Sequence, residues 1–220
     1  MKLECNKNKL EKIVYLSERI TSRNLSLPVL SNIFLEAKNK QLKIKATNLN
    51  IGIELVIPVI IEKEGVAVVN PYILNNFLNN LKNEDKIKIT LINNNLTITT
   101  RTSSTIIKSE LPDDFPTIPS IKKGNYITIP AIDLVVGLQS VFFASATSDI
   151  KPEISSVYIY EKSDYLYFVA TDSFRLAEKK LLIKGNKNNF NQAIIPFKNV
   201  SELIRVFSEV DSEVTIYTDT

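Results

Sequence analysis

The side chains able to do acid–base or metal-assisted chemistry in this sequence are carboxylates, with Asp113, Asp114, Asp149 and Asp172 the candidates for an acid/base pair or a Mg²⁺ site. There is no histidine, and Cys5 is the only cysteine. A Ser–His or Cys–His nucleophile cannot be assembled from such a set, and neither can a usual zinc site. The five glycines, Gly52, Gly65, Gly124, Gly137 and Gly185, are scattered and build no phosphate-cradling loop. Asp113-Asp114 directly after Pro112 has the signature of a turn. Asp172 answers to Asn48 in an internal repeat, and an Asp/Asn exchange at matched turns points to side-chain capping rather than catalysis. The expectation is a chain with no catalytic residues, no metal and no cofactor.

The repeat sets the organisation of the chain. Residues 28–50 overlay residues 152–174 without a gap, as Thr47 and Thr171, 124 positions apart, illustrate. Pro28/Pro152, Ser31/Ser155, Lys38/Lys162, Leu42/Leu166 and Ala46/Ala170 are also identical. Two copies of one folding unit follow, the first over 1–121 and the second over 122–220.

In the first copy, Asn6 caps a helix over 7–20 with Leu10, Ile13, Val14 and Ser17 on one face. Strands are expected at 29–37 and 41–47 around a Lys38-Asn39-Lys40 turn, then at 52–61 and 66–69. Pro71 opens a second helix, whose buried face reads as Ile73, Leu74, Phe77, Leu78 and Leu81. Alternating strands follow at 86–91, 96–101 and 105–111, and Pro112, Pro116 and Pro119 end regular structure. Residues 122–125 read as the linker. The second copy repeats the programme, with strands at 126–129, 157–160, 165–170, 176–183, 193–195 and 213–217. Its helices fall at 130–143 and after Pro196. Nothing in it corresponds to residues 96–119, so the sequence reads as part of a longer protein whose second unit is incomplete at its C-terminal end.

Hydrophobic residues make up 44% and charged residues 23%, the mix of a globular protein. A net charge of +3 is too small for tight binding of nucleic acid by bulk charge, while leaving room for a light touch. The lone cysteine allows no internal disulfide, which fits a reducing compartment. The polar start is no secretory signal, and residues 51–61 are too short to span a membrane. A cytoplasmic protein is expected.

Residues 169–177, Val-Ala-Thr-Asp-Ser-Phe-Arg-Leu-Ala, taken with Leu27-Pro28-Val29-Leu30-Ser31-Asn32, Leu111-Pro112-Asp113-Asp114-Phe115-Pro116 and Ile195-Pro196, resemble the bacterial sliding clamps, the beta subunits of DNA polymerase III. The similarity runs the length of the sequence. It implies an α+β clamp fold of repeated domains, each with two helices packed on antiparallel sheets, and a third domain absent from this sequence. It also implies a non-enzymatic processivity factor: a homodimer ring around double-stranded DNA, without sequence preference, that tethers the replicative DNA polymerase and the clamp loader. A ring is retained by topology, so a few basic side chains suffice. On that resemblance Arg23 and Lys151 match DNA-contact positions, and Lys7, Lys9, Lys12, Arg19, Lys198 and Arg205 are further candidates on helices. Ile73 and Pro152-Glu153 depart from the family where basic and aromatic residues contact DNA. Ile154, Thr171, Ser173, Phe174, Arg175 and Leu176 match the pocket for partner peptides, with Phe174 in place of a histidine or tyrosine. Leu74 and Thr105, Ile106, Ile107 and Lys108 are the expected dimer interface. The alternative is a clamp-related peptide-binding scaffold that never encircles DNA.

Overall fold

The computed structural model describes residues 1–22, 26–81, 84–119, 124–148, 151–183, 190 and 192–218. Arg23, Asp149, Lys122 and Lys123 lie outside the described residues. The chain divides into two compact units, Met1–Ile118 and Pro119–Thr220.

The first unit opens with β1 (Lys2–Asn6), α1 (Lys7–Ile20) and a 3-10 turn at Pro28–Ser31. Then come β2 (Ile33–Lys38), β3 (Gln41–Thr47), β4 (Gly52–Pro58), β5 (Ile60–Lys63), β6 (Gly65–Val69) and α2 (Pro71–Asn80). The unit closes with β7 (Lys86–Ile92), β8 (Asn95–Thr99), β9 (Ser104–Glu110) and a 3-10 turn at Pro112–Asp114. All strand pairs are antiparallel, in the order β4-β3-β2-β6-β9-β8-β7-β1-β5. The sheet is thin at its middle, where β6 and β9 share only Val68↔Glu110 and Val69↔Ser109. Alternation decides what goes inside: Leu42, Ile44 and Ala46 of β3 and Leu96 and Ile98 of β8 are buried, as are Leu10 and Val14 of α1 and Leu74 and Leu78 of α2. The hairpin turns take positive φ at Asn39 and Lys40 (52° and 60°) and at Asn93 and Asn94 (49° and 56°), the paired left-handed geometry that matches strand twist.

Helix starts are specified locally. Asn6 Oδ1 accepts from the Lys9 amide at 3.0 Å, and Asn70 Oδ1 accepts from the Tyr72 and Ile73 amides at 3.1 and 3.3 Å with Pro71 next in line. This phasing turns Leu74 to the core and leaves Ile73 52% exposed, correcting its expected place on the buried face. Three other boundaries differ from expectation. Lys2–Asn6 is a strand between β5 and β7. Pro28 winds the next residues into a 3-10 turn before β2 begins, because its fixed φ favours a turn start. Pro58 divides the stretch 52–61 into β4 and β5.

The second unit contains β10 (Asn125–Pro130), α3 (Ala131–Val141), a 3-10 turn at Phe142–Ala144, β11 (Ser156–Lys162), β12 (Tyr165–Thr171), β13 (Leu176–Leu182), β14 (Gln192–Pro196), α4 (Phe197–Phe207) and β15 (Glu213–Thr218). Its sheets are β13-β12-β11-β14 and the pair β10-β15. Both helices lie against a core that includes Leu134, Leu138, Val157, Ile159, Leu166, Phe168 and Val200. Gly137 of α3 meets the Phe168 ring with no room for a Cβ, which lets helix and sheet approach closely. The β11–β12 turn repeats the positive φ pair at Ser163 and Asp164 (48° and 62°). No helix among the described residues is long and apolar enough to cross a membrane.

Candidate functional site

The repeat is reproduced atom for atom at the ends of β3 and β12. Thr47 Oγ1 donates to the Ile51 carbonyl at 2.9 Å and accepts from the Leu49 amide at 3.0 Å. Thr171 Oγ1 does the same with Arg175 and Ser173 at 2.7 and 3.2 Å. Asn48 Oδ1 accepts from the Asn50 and Ile51 amides, both at 3.0 Å, and Asp172 Oδ1 from the Phe174 and Arg175 amides at 3.0 and 2.9 Å. Leu49 and Ser173 take matching left-handed φ values of 74° and 76°. Few side chains tolerate that conformation, and here four hydrogen bonds around each turn hold it.

The copies part in what they present. Phe174 is 98% exposed and Leu176, which opens β13, is 68% exposed. Large apolar side chains held this far into water by an ordered turn are poised to be covered by something else. Arg175 is tethered between them: its Nε donates to Asp172 Oδ2 at 2.9 Å, and its guanidinium carbon stands 6.0 Å from the centre of the exposed Phe143 ring. The amide donors of Arg175 and Phe174, with the guanidinium, hold the Asp172 carboxyl below the usual carboxylate range. Thr171 is half-buried and Ser173 exposed. Ile154 is half-buried in the turn before β11, where its amide donates to the Lys151 carbonyl at 3.2 Å and its carbonyl accepts from Ala146 at 3.0 Å. Lys151 is exposed on that turn.

The basic candidates separate into two kinds. Lys9, Lys12 and Arg19 lie exposed along α1 together with Tyr15. The helix's two acids turn elsewhere: Glu18 Oε2 accepts from Asn75 Nδ2 of α2 at 2.6 Å, and Glu11 Oε2 holds Lys7 Nζ at 2.6 Å. Lys7 is thereby buried, 8% exposed, which corrects its expected place among the exposed basic residues: its ammonium is already engaged by Glu11. On α4, Lys198 is exposed, while Arg205 is half-buried and paired to Glu202 at 3.1 Å. Neither α2 nor α3 contains a lysine or arginine. Arg23 lies outside the described residues.

At the expected dimer edge, β9 pairs with β8 over residues 104–108 and meets β6 only at Ser109 and Glu110, so residues 104–108 have no second ladder partner among the described residues. Ile106 is 69% exposed and Lys108 is exposed, with Thr105 half-buried. Ile107 points into the core, and Leu74 is fully buried there, which removes Leu74 from any contact surface and is a correction. Its neighbour Ile73 is the exposed one and shares a cleft of about 710 Å³ with Leu27, Val29, Lys108 and Leu111. The sequence signal for this exchange is Pro71, which fixes the helix phase. Among the described residues no group of three or more His, Cys, Asp or Glu side chains could hold a metal ion.

Two family models match the chain in order: the DNA polymerase III beta subunit N-terminal domain over residues 1–119 and its central domain over residues 128–219. A beta sliding clamp of Buchnera aphidicola is 30% identical over 209 residues, which are 94% of this chain and 57% of that one. The structure of the DNA polymerase III beta subunit of Pseudomonas aeruginosa superposes with a TM-score of 0.92 at 26% identity, covering 99% of this chain and 59% of that one. A sliding clamp of Bartonella birtlesii, solved bound to griselimycin, superposes with a TM-score of 0.91 at 26% identity, over 100% of this chain and 60% of that one. The chain thus spans a little over half the length of these relatives.

Proposed function

The chain belongs to the DNA polymerase III beta subunit family, and from that premise we propose that it is the larger part of a replicative sliding clamp, a processivity factor that encircles duplex DNA and tethers its polymerase. The observation that carries this reading is the match of two successive clamp domains along residues 1–119 and 128–219. The exposed row Lys9, Lys12 and Arg19 is suited to light, sequence-independent phosphate contact, and a net charge of +3 suits a protein that slides. Arg23, and Lys151 and Lys198 of the second unit, are further candidates for such contact, and Arg205 would have to share its guanidinium with Glu202.

Ile154, Thr171, Ser173, Phe174, Arg175 and Leu176 form one wall of the cleft for the tails of the polymerase and the clamp loader. Exposed Leu176 and Phe174 offer the apolar surface on which a short peptide gains most of its affinity. That a relative of the same fold was solved bound to griselimycin is consistent with ligand binding by such a protein. The open stretch of β9, with Ile106 and Lys108, closes a homodimer ring head to tail. The protein does no catalysis of its own, needs no cofactor and works in the cytoplasm.

Retention on DNA tests the reading. Full-length protein loaded on nicked circular duplex should stay bound and should leave when the circle is linearised. Equal loss from both forms would leave only a peptide-binding scaffold. The cleft is tested separately by Leu176→Asp, which should abolish binding of a labelled C-terminal tail peptide of the cognate replicative polymerase while leaving the far-ultraviolet circular dichroism unchanged.

A further inference from the structure

We propose that Asp172 is a positioning residue for the partner cleft, its two oxygens having separate tasks: Oδ1 closes the turn, and Oδ2 holds the Arg175 guanidinium in the orientation that meets a partner peptide. The inference rests on the reading of Phe174–Leu176 as a cleft wall and comes from comparing the chain with itself. In the first unit Asn48 closes an equivalent turn with Oδ1 alone, through bonds to Asn50 and Ile51 of 3.0 Å. An amide is therefore enough for the fold. The second unit carries a carboxylate at the same place, and its second oxygen is 2.9 Å from Arg175 Nε. Where Arg175 stands, the first unit has Ile51, which asks nothing of a second oxygen.

Chemistry explains why this oxygen matters. Arginine carries a long side chain with large rotamer entropy, and at 59% exposure it would sample many orientations. Anchoring Nε to Oδ2, with the Phe143 ring 6.0 Å from the guanidinium carbon, removes part of that freedom before a partner arrives. A group ordered in advance costs less to order on binding. Nε is at the inner end of the guanidinium fork, so this anchor directs the terminal Nη groups beyond it, where they suit a carboxylate or main-chain carbonyl of a bound peptide.

The test compares Asp172→Asn with wild type. The amide retains Oδ1 and replaces the Oδ2 acceptor, so the turn should stay closed, with the Phe174 and Arg175 amides still protected from exchange, whereas the affinity for the labelled polymerase tail peptide should fall by about fivefold, the size of one exposed charge-assisted contact. In an Arg175→Ala background, Asp172→Asn should change the affinity no further. An unchanged affinity, or the same loss with and without Arg175, would overturn the positioning role. Loss of that amide protection would overturn the division of tasks between the oxygens. Leu176→Asp separates this from the cleft itself: if it too leaves binding intact, the cleft assignment fails and the positioning role with it, and if it abolishes binding while Asp172→Asn is silent, only the positioning role fails.

Discussion

Ile118 packs onto Gly52 so closely that a Cβ on the glycine would stand 2.9 Å from the Ile118 Cγ2. Gly52 opens β4 at the place where, 124 residues later, Leu176 opens β13. The segment that brings Ile118 there also sets Phe115 against Phe34, with ring centres 5.4 Å apart, and Lys45 lies 5.6 Å from the Phe34 ring centre. The first unit sets its own Ile118 beside the position that the second presents as an exposed leucine.

Gly52→Leu should therefore displace Ile118 and destabilise the first unit by about 1–3 kcal/mol, the usual cost of overpacking. Urea unfolding measures this directly. A midpoint equal to wild type would mean that the closing segment yields without loss.

Gly137→Ala sets two effects against each other. Alanine is the better helix former by about 1 kcal/mol, yet its methyl would overlap the fully buried Phe168 ring. Overpacking should win, giving a net loss of about 1–2 kcal/mol in the same unfolding assay. Val136→Ala, on the exposed side of α3, serves as the control and should change little.

Cys5 is 4% exposed in β1, and burial pushes its thiol up to about 12. At pH 8 it should resist an aromatic disulfide reagent, because the thiolate is both scarce and covered. Labelling should appear only with denaturant and follow the unfolding curve. Rapid labelling of the native protein would show that β1 opens locally.

Asp172 has its folded pKa depressed, first by the Arg175 amide and then by that of Phe174. The sign follows from linkage: the turn's stabilisation is complete above the unfolded value of about 3.9 and is lost as pH falls through the lower folded value. Carbon-detected NMR should give an Asp172 midpoint below the model-peptide value. The Phe174 and Arg175 amides should shift at that same midpoint.

Ile106→Asp changes a side chain that is 69% exposed and touches no core. Monomer stability should hold within about 0.5 kcal/mol. Self-association of the full-length protein, followed by sedimentation velocity, should weaken; unchanged association would overturn the proposed use of β9 as a dimer edge.

Much of the fold is legible in the sequence because period-two alternation and the proline helix starts are local signals. The second copy also supplies a check on the first. What escapes is phase and pairing. Ile73 and Leu74 are equally apolar neighbours, and only the cap at Asn70 with Pro71 decides which faces the core. Lys2–Asn6 is five residues long, and it becomes a strand through partners far along the chain. Lys7 reads as a surface charge until Glu11 is seen beside it. At the site, the repeat locates the turn and the divergence locates the side chains presented. The second task of Asp172 needs the 2.9 Å contact to Arg175, which no one-dimensional pattern contains.

The two-rung junction between β6 and β9 has a dynamic consequence. Part of the joint there passes to a side chain, since the Val68 amide donates to Ser109 Oγ at 3.1 Å. The backbone ladder is thinnest at this line, so β4-β3-β2-β6 and β9-β8-β7-β1-β5 are held together there mainly by the core they share. β9, the strand proposed for a dimer contact, thus stands at the weakest seam of the sheet, where amide exchange should be faster than in the ladders on either side.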